Sequence, residues 1–450
     1  MKVSSIILAA GKGTRMKSAY PKVLHKICGR PLLQYAVDAV TALGVEQPVV
    51  VVGHGADVVR STLGDQVLYA EQEQQLGTGH AVLSAQIAIP EDADLVLVTS
   101  GDMPLFTPET LKALLETQIR NSGPMTILTV VAIDPRGFGR IVRGVDGSVQ
   151  AIVEEAQASP EILAIRELNV GAYCFQARWL WDALRRIPLS PKGEYYLTDV
   201  VGLAVADGQR VEAIAVQDER ETMGINTRIH LAEAEAVMRR RIMEKLMLDG
   251  VTVINPDSTY VEIGVQIGQD TILQPNTFIY GKTLIGENCI IGPNTIITDC
   301  QVGNDCVILA AVMEKAVVED GVDMGPFARL RKGAHLGPHV HMGNFGEVKD
   351  SYLGAGTKMG HFSYIGNATI GKDVNIGAGT ITCNYDGEHK HPTVIGDEVF
   401  IGSDTMLVAP LNLGDKARTG AGAVVTHDVK PGEVVVGVPA RPIRKKENVE

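Results

Sequence analysis

The chain has 450 residues, 45% apolar and 21% charged, which is room for two or three domains with full cores and argues against disorder. A formal net charge of -12 argues against a general nucleic-acid or anionic-membrane surface, since both partners want a positive field. "MKVSSIILAAGKG" lacks the basic n-region of a signal peptide, and no apolar stretch approaches the length of a membrane span. The six cysteines (Cys28, Cys174, Cys289, Cys300, Cys306, Cys383) show no CxxC pairing, a usage that suggests reduced thiols in a cytosolic protein.

Residues 1–226 alternate strand-like runs such as "VSSIIL" and "ADLVLV" with helical patterns such as "PETLKALLETQIR". The alternation predicts an α/β domain with a largely parallel sheet, whose ligands bind at the carboxyl ends of the strands. "LAAGKGTRM" follows the first strand. Its glycines let backbone N–H groups turn toward an anion, and Lys12, Arg15 and Lys22 offer cations for phosphate oxygens. The loop is neither GxxxxGK[ST] nor GxGxxG, so a P-loop ATPase and a nicotinamide site are unsupported, and a plain strand-to-helix turn is the competing reading. In "VLVTSGDMPL" Asp102 stands just past an apolar strand, where a carboxylate either caps the turn or holds a hard divalent ion.

Within "TRIHLAEAEAVMRRRIMEKLML" the residues Leu231, Ala234, Met238, Ile242 and Leu246 share one stripe, and Asp249-Gly250 supplies a stop, so 227–250 reads as a connecting helix. Over 251–450 aliphatic-Gly dipeptides recur mostly every six residues, from Ile285-Gly286 to Ile401-Gly402. Four residues after the aliphatic stands a small or β-branched one: Cys289, Thr295, Val340, Ser363, Thr369, Val374, Thr380, Thr405. Short strands that bury their first and fifth residues produce this pattern, and such repeats must stack into a β-solenoid. The hexapeptide signature resembles that of left-handed parallel β-helices, whose triangular coils use three hexads each.

The ordered set "LAAGKGTRM" with Lys22, "QLGTGHA", "GDMPL", "GFGRI", "IVEE", "ELNVGAY", "GEYYLTD" and "GIN", ahead of a hexapeptide domain, resembles one enzyme family along the whole chain. It is that of the bifunctional N-acetylglucosamine-1-phosphate uridyltransferases / glucosamine-1-phosphate acetyltransferases. The resemblance implies that Leu8, Ala9, Gly11, Arg15 and Lys22 contact the nucleotide phosphates and ribose, and that Gln72, Gly77 and Thr78 read the uracil. Gly139, Glu154, Asn169 and Tyr196 would hold the acetylated sugar, and Asp102 and Asn226 a Mg²⁺ ion. The sugar-phosphate oxygen that attacks the α-phosphorus of UTP is already an anion, so positioning and charge neutralisation suffice without a side-chain base.

Met324, Leu330, Leu336, Met342 and Val348 run at unbroken spacing six, which sets Arg331 and Lys349 outward and eighteen apart. In a three-hexad coil they stack about 4.8 Å apart, where like charges either splay into water or share an anion. The resemblance selects the anion, a glucosamine 1-phosphate also held by Tyr364 and Asn375. His361 lies two residues after the inward Met359 and two before Ser363, so its imidazole should leave the core. An exposed histidine is commonly inert, but the resemblance makes this one the base that deprotonates the attacking amine. Ala378, Asn384, Tyr385, Ser403 and Ala421 would line the acetyl-CoA site, and the family is homotrimeric, with the loop "TITCNYDGEHKHPTV" reaching a neighbouring subunit. One departure stands out: Gly437 or Val438 occupies the place of an expected arginine, leaving Arg441 or Arg444 as substitutes.

These readings imply a cytosolic homotrimer of small-molecule substrates, with acetyl-CoA as acetyl donor, UTP as uridylyl donor and Mg²⁺, organised as domains 1–226 and 251–450 joined by 227–250. The rivals are a pyrophosphorylase with a merely structural β-helix and a non-catalytic assembly subunit.

Overall fold

The computed structural model describes residues 1–135 and 137–443, which group into two units, Met1–Met238 and Arg239 onward. In the first unit the apolar runs become, among the described residues, the nine strands of one sheet: β1 (Val3–Leu8), β2 (Val49–Val52), β3 (Leu68–Glu71), β4 (Leu95–Ser100), β5 (Met125–Val131), β6 (Arg140–Arg143), β7 (Val149–Val153), β8 (Glu167–Gln176) and β9 (Val211–Ala215). The main path runs β9–β5–β8–β4–β1–β2–β3, with the β6–β7 hairpin paired onto β8. All neighbours on that path are parallel except β8, which is antiparallel to both β4 and β5. The chain enters β8 from the β6–β7 hairpin rather than through a full crossover, so it arrives at the opposite end of the sheet. Apolar residues bury both faces: Ile6, Val51 and Val96 on one, Ile7, Val50 and Leu97 on the other. That is why these strands read as continuous apolar runs rather than alternating ones.

The connecting helix spans Arg228–Leu248 and stops at Gly250, whose φ of 97° suits glycine. Ala234, Met238, Met243 and Leu246 are buried along it, so Met243 rather than the expected Ile242 is the fully covered residue of its last turns. Glu235, on its first half, accepts a hydrogen bond from the Cys28 backbone N–H at 2.7 Å.

The second unit is a left-handed parallel β-helix. Its two- to four-residue strands cycle through three sheets, and each strand up to Phe400–Ile401 pairs with the third strand on. We call these sheets the first face (starting at Thr252–Val253), the second (Tyr260–Val261) and the third (Gln266–Ile267). Met324, Leu330, Leu336, Met342 and Val348 are fully buried, as the six-residue spacing requires. One inward assignment is corrected. Thr369 is exposed, and Ala368 fills its place in the core, because Ile365 and Ile370 are five residues apart rather than six. A shortened turn moves the next side chain to the other side of the strand. All six cysteines are free thiols, and among the described residues no helix is long and apolar enough to cross a membrane.

Candidate active sites

Two adjoining cavities open at the carboxyl ends of β1 and β4, sharing Leu8, Thr78, Ser100 and Asp102. The first, of about 390 Å³, takes in the glycine loop from Leu8 to Lys12 together with Lys22, Gln72, Gly77 and Tyr196. The second, of about 240 Å³, is walled by Gly139, Glu154, Asn169 and Asn226. Tyr196 thus borders the glycine-loop cavity rather than the one that holds Glu154 and Asn169. Arg15, exposed on the short helical turn Thr14–Met16, lines neither cavity, whereas Lys12 lines the first.

Where the cavities meet, the Lys22 ammonium forms a very short ion pair with Asp102 and donates to Asn226 Oδ1 at 3.1 Å. Ser100 Oγ donates to the other Asp102 oxygen at 2.6 Å. Burial pushes the Asp102 carboxyl up, but the Lys22 charge and the hydrogen bonds from Lys22 and Ser100 outweigh it and hold the group below the usual carboxylate range. The glycine loop is built around this lysine: a Cβ on Gly13 would stand 2.6 Å from Lys22 Cβ. A carboxylate and an amide oxygen already converge on one cation here, a donor set suited to a hard divalent ion completed by phosphate oxygens.

"QLGTGHA" and "GEYYLTD" are brought together by backbone hydrogen bonds from Tyr195 N–H to Leu76 O and from Gly79 N–H to Tyr195 O, both 2.8 Å. Thr78 Oγ1 accepts from the Leu197 N–H at 2.9 Å. A Cβ on Gly77 would come within 2.6 Å of Tyr195 O, so the close approach needs glycine there. In the second cavity Thr198 donates to Glu154 at 3.0 Å, and Asn169 donates to Tyr173 at 2.8 Å. Burial pushes the Glu154 carboxyl above its ordinary value.

On the β-helix, the strand registers place His361, Ala378, Ser403 and Ala421 in one column at the corner between the first and second faces. The hydrogen bonds from Asp404 N–H to Ala378 O and from Gly422 N–H to Ser403 O, 2.6 and 2.8 Å, run up that corner. His361 is exposed at its lower end. Gly437 continues the column above Ala421, while Arg441 lies on the following strand, exposed and paired at Val436. Arg444 falls outside the described residues.

Lys349 continues the pairing of Leu330 with Val348 and so stacks on Arg331 along the second face, as the spacing predicts. Arg331 donates to Glu347 at 2.9 Å. The Lys349 and Lys390 side chains lie against each other, and this contact with the neighbouring positive charge pushes the Lys390 amine below its ordinary value. Lys390 was missed by sequence reasoning, because it lies in the loop that interrupts the repeat, where no periodicity indicates which way a side chain points. Tyr364 shares the second face, and a Cβ on Gly366 would meet both its hydroxyl and the Asn384 amide, so Asn384 stands beside it. Tyr385, farther along the loop, is exposed and donates to Gly387 O. Asn375 is not brought to this group: its strand belongs to the first face, across the His361 corner from Tyr364.

Known families match within each of the two units. The MobA-like NTP transferase domain family matches residues 5–189, a bacterial transferase hexapeptide family of six repeats matches 264–299, and the hexapeptide repeat of succinyl-transferase matches 392–427. The chain is similar to the bifunctional protein GlmU of Heliobacterium modesticaldum, 50% identical over 97% of this chain and 95% of that protein. It is 46% identical to that of Geobacillus sp. (strain WCH70) over 99% of this chain and 97% of the relative. The Streptococcus agalactiae serotype V protein of the same name is 45% identical over 96% and 95%.

Proposed function

Because the chain belongs to the family of bifunctional GlmU proteins, we propose how its two units divide the synthesis of UDP-N-acetylglucosamine between them. The β-helix N-acetylates glucosamine 1-phosphate with acetyl-CoA, and the α/β unit then couples the product to UTP with release of pyrophosphate. The product feeds bacterial envelope polymers.

In the α/β unit, UTP lies along the glycine loop with its base toward Gln72, Gly77 and Thr78, and the acetylated sugar fills the Glu154–Asn169 cavity. The sugar-phosphate oxygen attacks the α-phosphorus, the bond to the pyrophosphate oxygen breaks, and no side-chain base is needed. Lys22 neutralises charge on the phosphates, and Asp102 and Asn226 would hold a Mg²⁺ ion. Bound there, the ion would supply Lewis-acid stabilisation of the phosphate oxygens. The observation that carries this reading is the Lys22–Asp102–Asn226 convergence at the junction of the two cavities.

On the β-helix, the phosphate of the amino sugar sits at Arg331, Lys349 and Lys390. His361 takes a proton from the amine as it attacks the thioester carbonyl, and the tetrahedral intermediate collapses to expel the coenzyme A thiol. The pantetheine arm follows the corner column of Ala378, Ser403 and Ala421. Asn375, which faces away from Tyr364 within one chain, serves the site of a neighbouring chain in a homotrimer. Six free cysteines support a cytoplasmic location.

The test is an assay of the purified chain with glucosamine 1-phosphate, acetyl-CoA, UTP and Mg²⁺, following thiol and pyrophosphate separately. Both should be released, pyrophosphate only with the metal. Pyrophosphate from supplied N-acetylglucosamine 1-phosphate without any thiol release would reduce the β-helix to a scaffold.

A further inference from the structure

Gln72 is only 3% exposed yet borders the glycine-loop cavity just past the end of β3, its backbone N–H fixed to Val52 O at 2.8 Å. Its side-chain Nε2 lies 3.0 Å from Gly77 O and 3.1 Å from His80 Nδ1. A carbonyl oxygen can only accept, so the Gly77 contact requires the amide nitrogen on that side. Both amide hydrogens are then engaged, one by Gly77 and one by His80, and His80 must carry its own hydrogen on Nε2. What remains of the amide is Oε1, an acceptor with no intramolecular donor among the described residues.

The consequence is a choice between bases. Uracil presents an N3–H donor where cytosine presents a bare N3 acceptor, so an amide oxygen at that edge pairs with uracil and repels cytosine. Were the amide turned over, its oxygen would face the Gly77 carbonyl, His80 would have to move its hydrogen from Nε2 to Nδ1 to meet it, and the NH₂ would suit cytosine instead. Gly77 provides one latch through backbone that cannot be varied, and His80 provides the second from the helix Thr78–Ser84. Resting on the reading that Gln72 meets the nucleotide base, we propose that His80 is a positioning residue that holds the Gln72 amide in its uracil-accepting orientation and thereby sets the preference for UTP over CTP. His80 lines neither cavity; it acts through Gln72.

The test compares UTP with CTP in the full chain, with thiol release as a control for folding. His80→Ala should lower the ratio of kcat/KM for UTP to that for CTP by on the order of tenfold, the size of one hydrogen bond, through KM for UTP with kcat little changed. His80→Asn, whose Oδ1 can accept in the place of Nδ1, should restore most of the ratio. A general loosening of the loop would instead lower both nucleotides alike, and that result, or an unchanged ratio in His80→Ala, overturns the proposal. Gln72→Ala separates the two layers. If it lowers the ratio while His80→Ala does not, only the role of His80 fails; if it leaves the ratio unchanged, Gln72 does not read the base and both fail.

Discussion

Lys22 and Asn226 are 204 residues apart in the chain, yet the lysine ammonium donates to the asparagine oxygen at 3.1 Å while pairing with Asp102. The junction of the two cavities is therefore closed by a residue just past the glycine loop and one from the segment that leads into the connecting helix. An ammonium thus holds the position between two oxygen donors.

Asp102→Asn keeps the shape of that junction and removes its charge. It should lower uridylyl transfer on the order of 10²-fold or more, and raise the Mg²⁺ concentration needed for half-maximal rate, with thiol release unchanged. Pyrophosphate release measured across a Mg²⁺ titration checks this. An equal loss of both activities would instead mean a misfolded chain.

His361→Ala should lower acetyl transfer by on the order of 10²–10⁴-fold, the usual contribution of a general base. Uridylyl transfer with supplied N-acetylglucosamine 1-phosphate should stay at the wild-type rate. Thiol release by the folded variant at the wild-type rate across pH 6–9 would show that the histidine is only an exposed corner residue.

Lys349 and Asn375 lie on different faces of the β-helix, which makes their cooperation testable. Lys349→Ala and Asn375→Ala, each impaired alone, should regain thiol release when co-expressed, because some mixed trimers pair an intact Lys349 of one chain with an intact Asn375 of the next. Random assembly of equal amounts gives such sites a frequency of roughly a quarter. No recovery in trimers shown by mass spectrometry to be mixed would place both residues at the same chain's site.

Glu154 carries a stability cost. Burial disfavours its charged form and raises its folded pKa above the ordinary 4.5, so the folded unit loses stability as pH climbs from that value through the folded one. Glu154→Gln should therefore raise the melting temperature of the first unit near about pH 7, with the gain closing below about pH 4, where both states are protonated. Uridylyl transfer should fall at the same time. Calorimetry at the two pH values decides, and a variant less stable at neutral pH would mean that the Thr198 hydrogen bond outweighs the burial.

The sequence by itself determined the elements whose physics is local and periodic. Continuous apolar runs marked the buried strands β1 and β4, and six-residue spacing set the inward ladder from Met324 to Val348 and the outward stacking of Arg331 on Lys349. The same periodicity erred at Thr369, where a five-residue interval reversed the side chain, and was silent on Lys390, which sits in a loop with no period. Only the tertiary structure decided which distant residues meet. Nothing in the spacing of "QLGTGHA" says that Gln72 will be latched by Gly77 and His80, or that Asn375 will face away from Tyr364. Spacing along a chain encodes which face of an element a side chain occupies, whereas the meeting of two faces is set by the packing of whole elements, to which every residue of the core contributes.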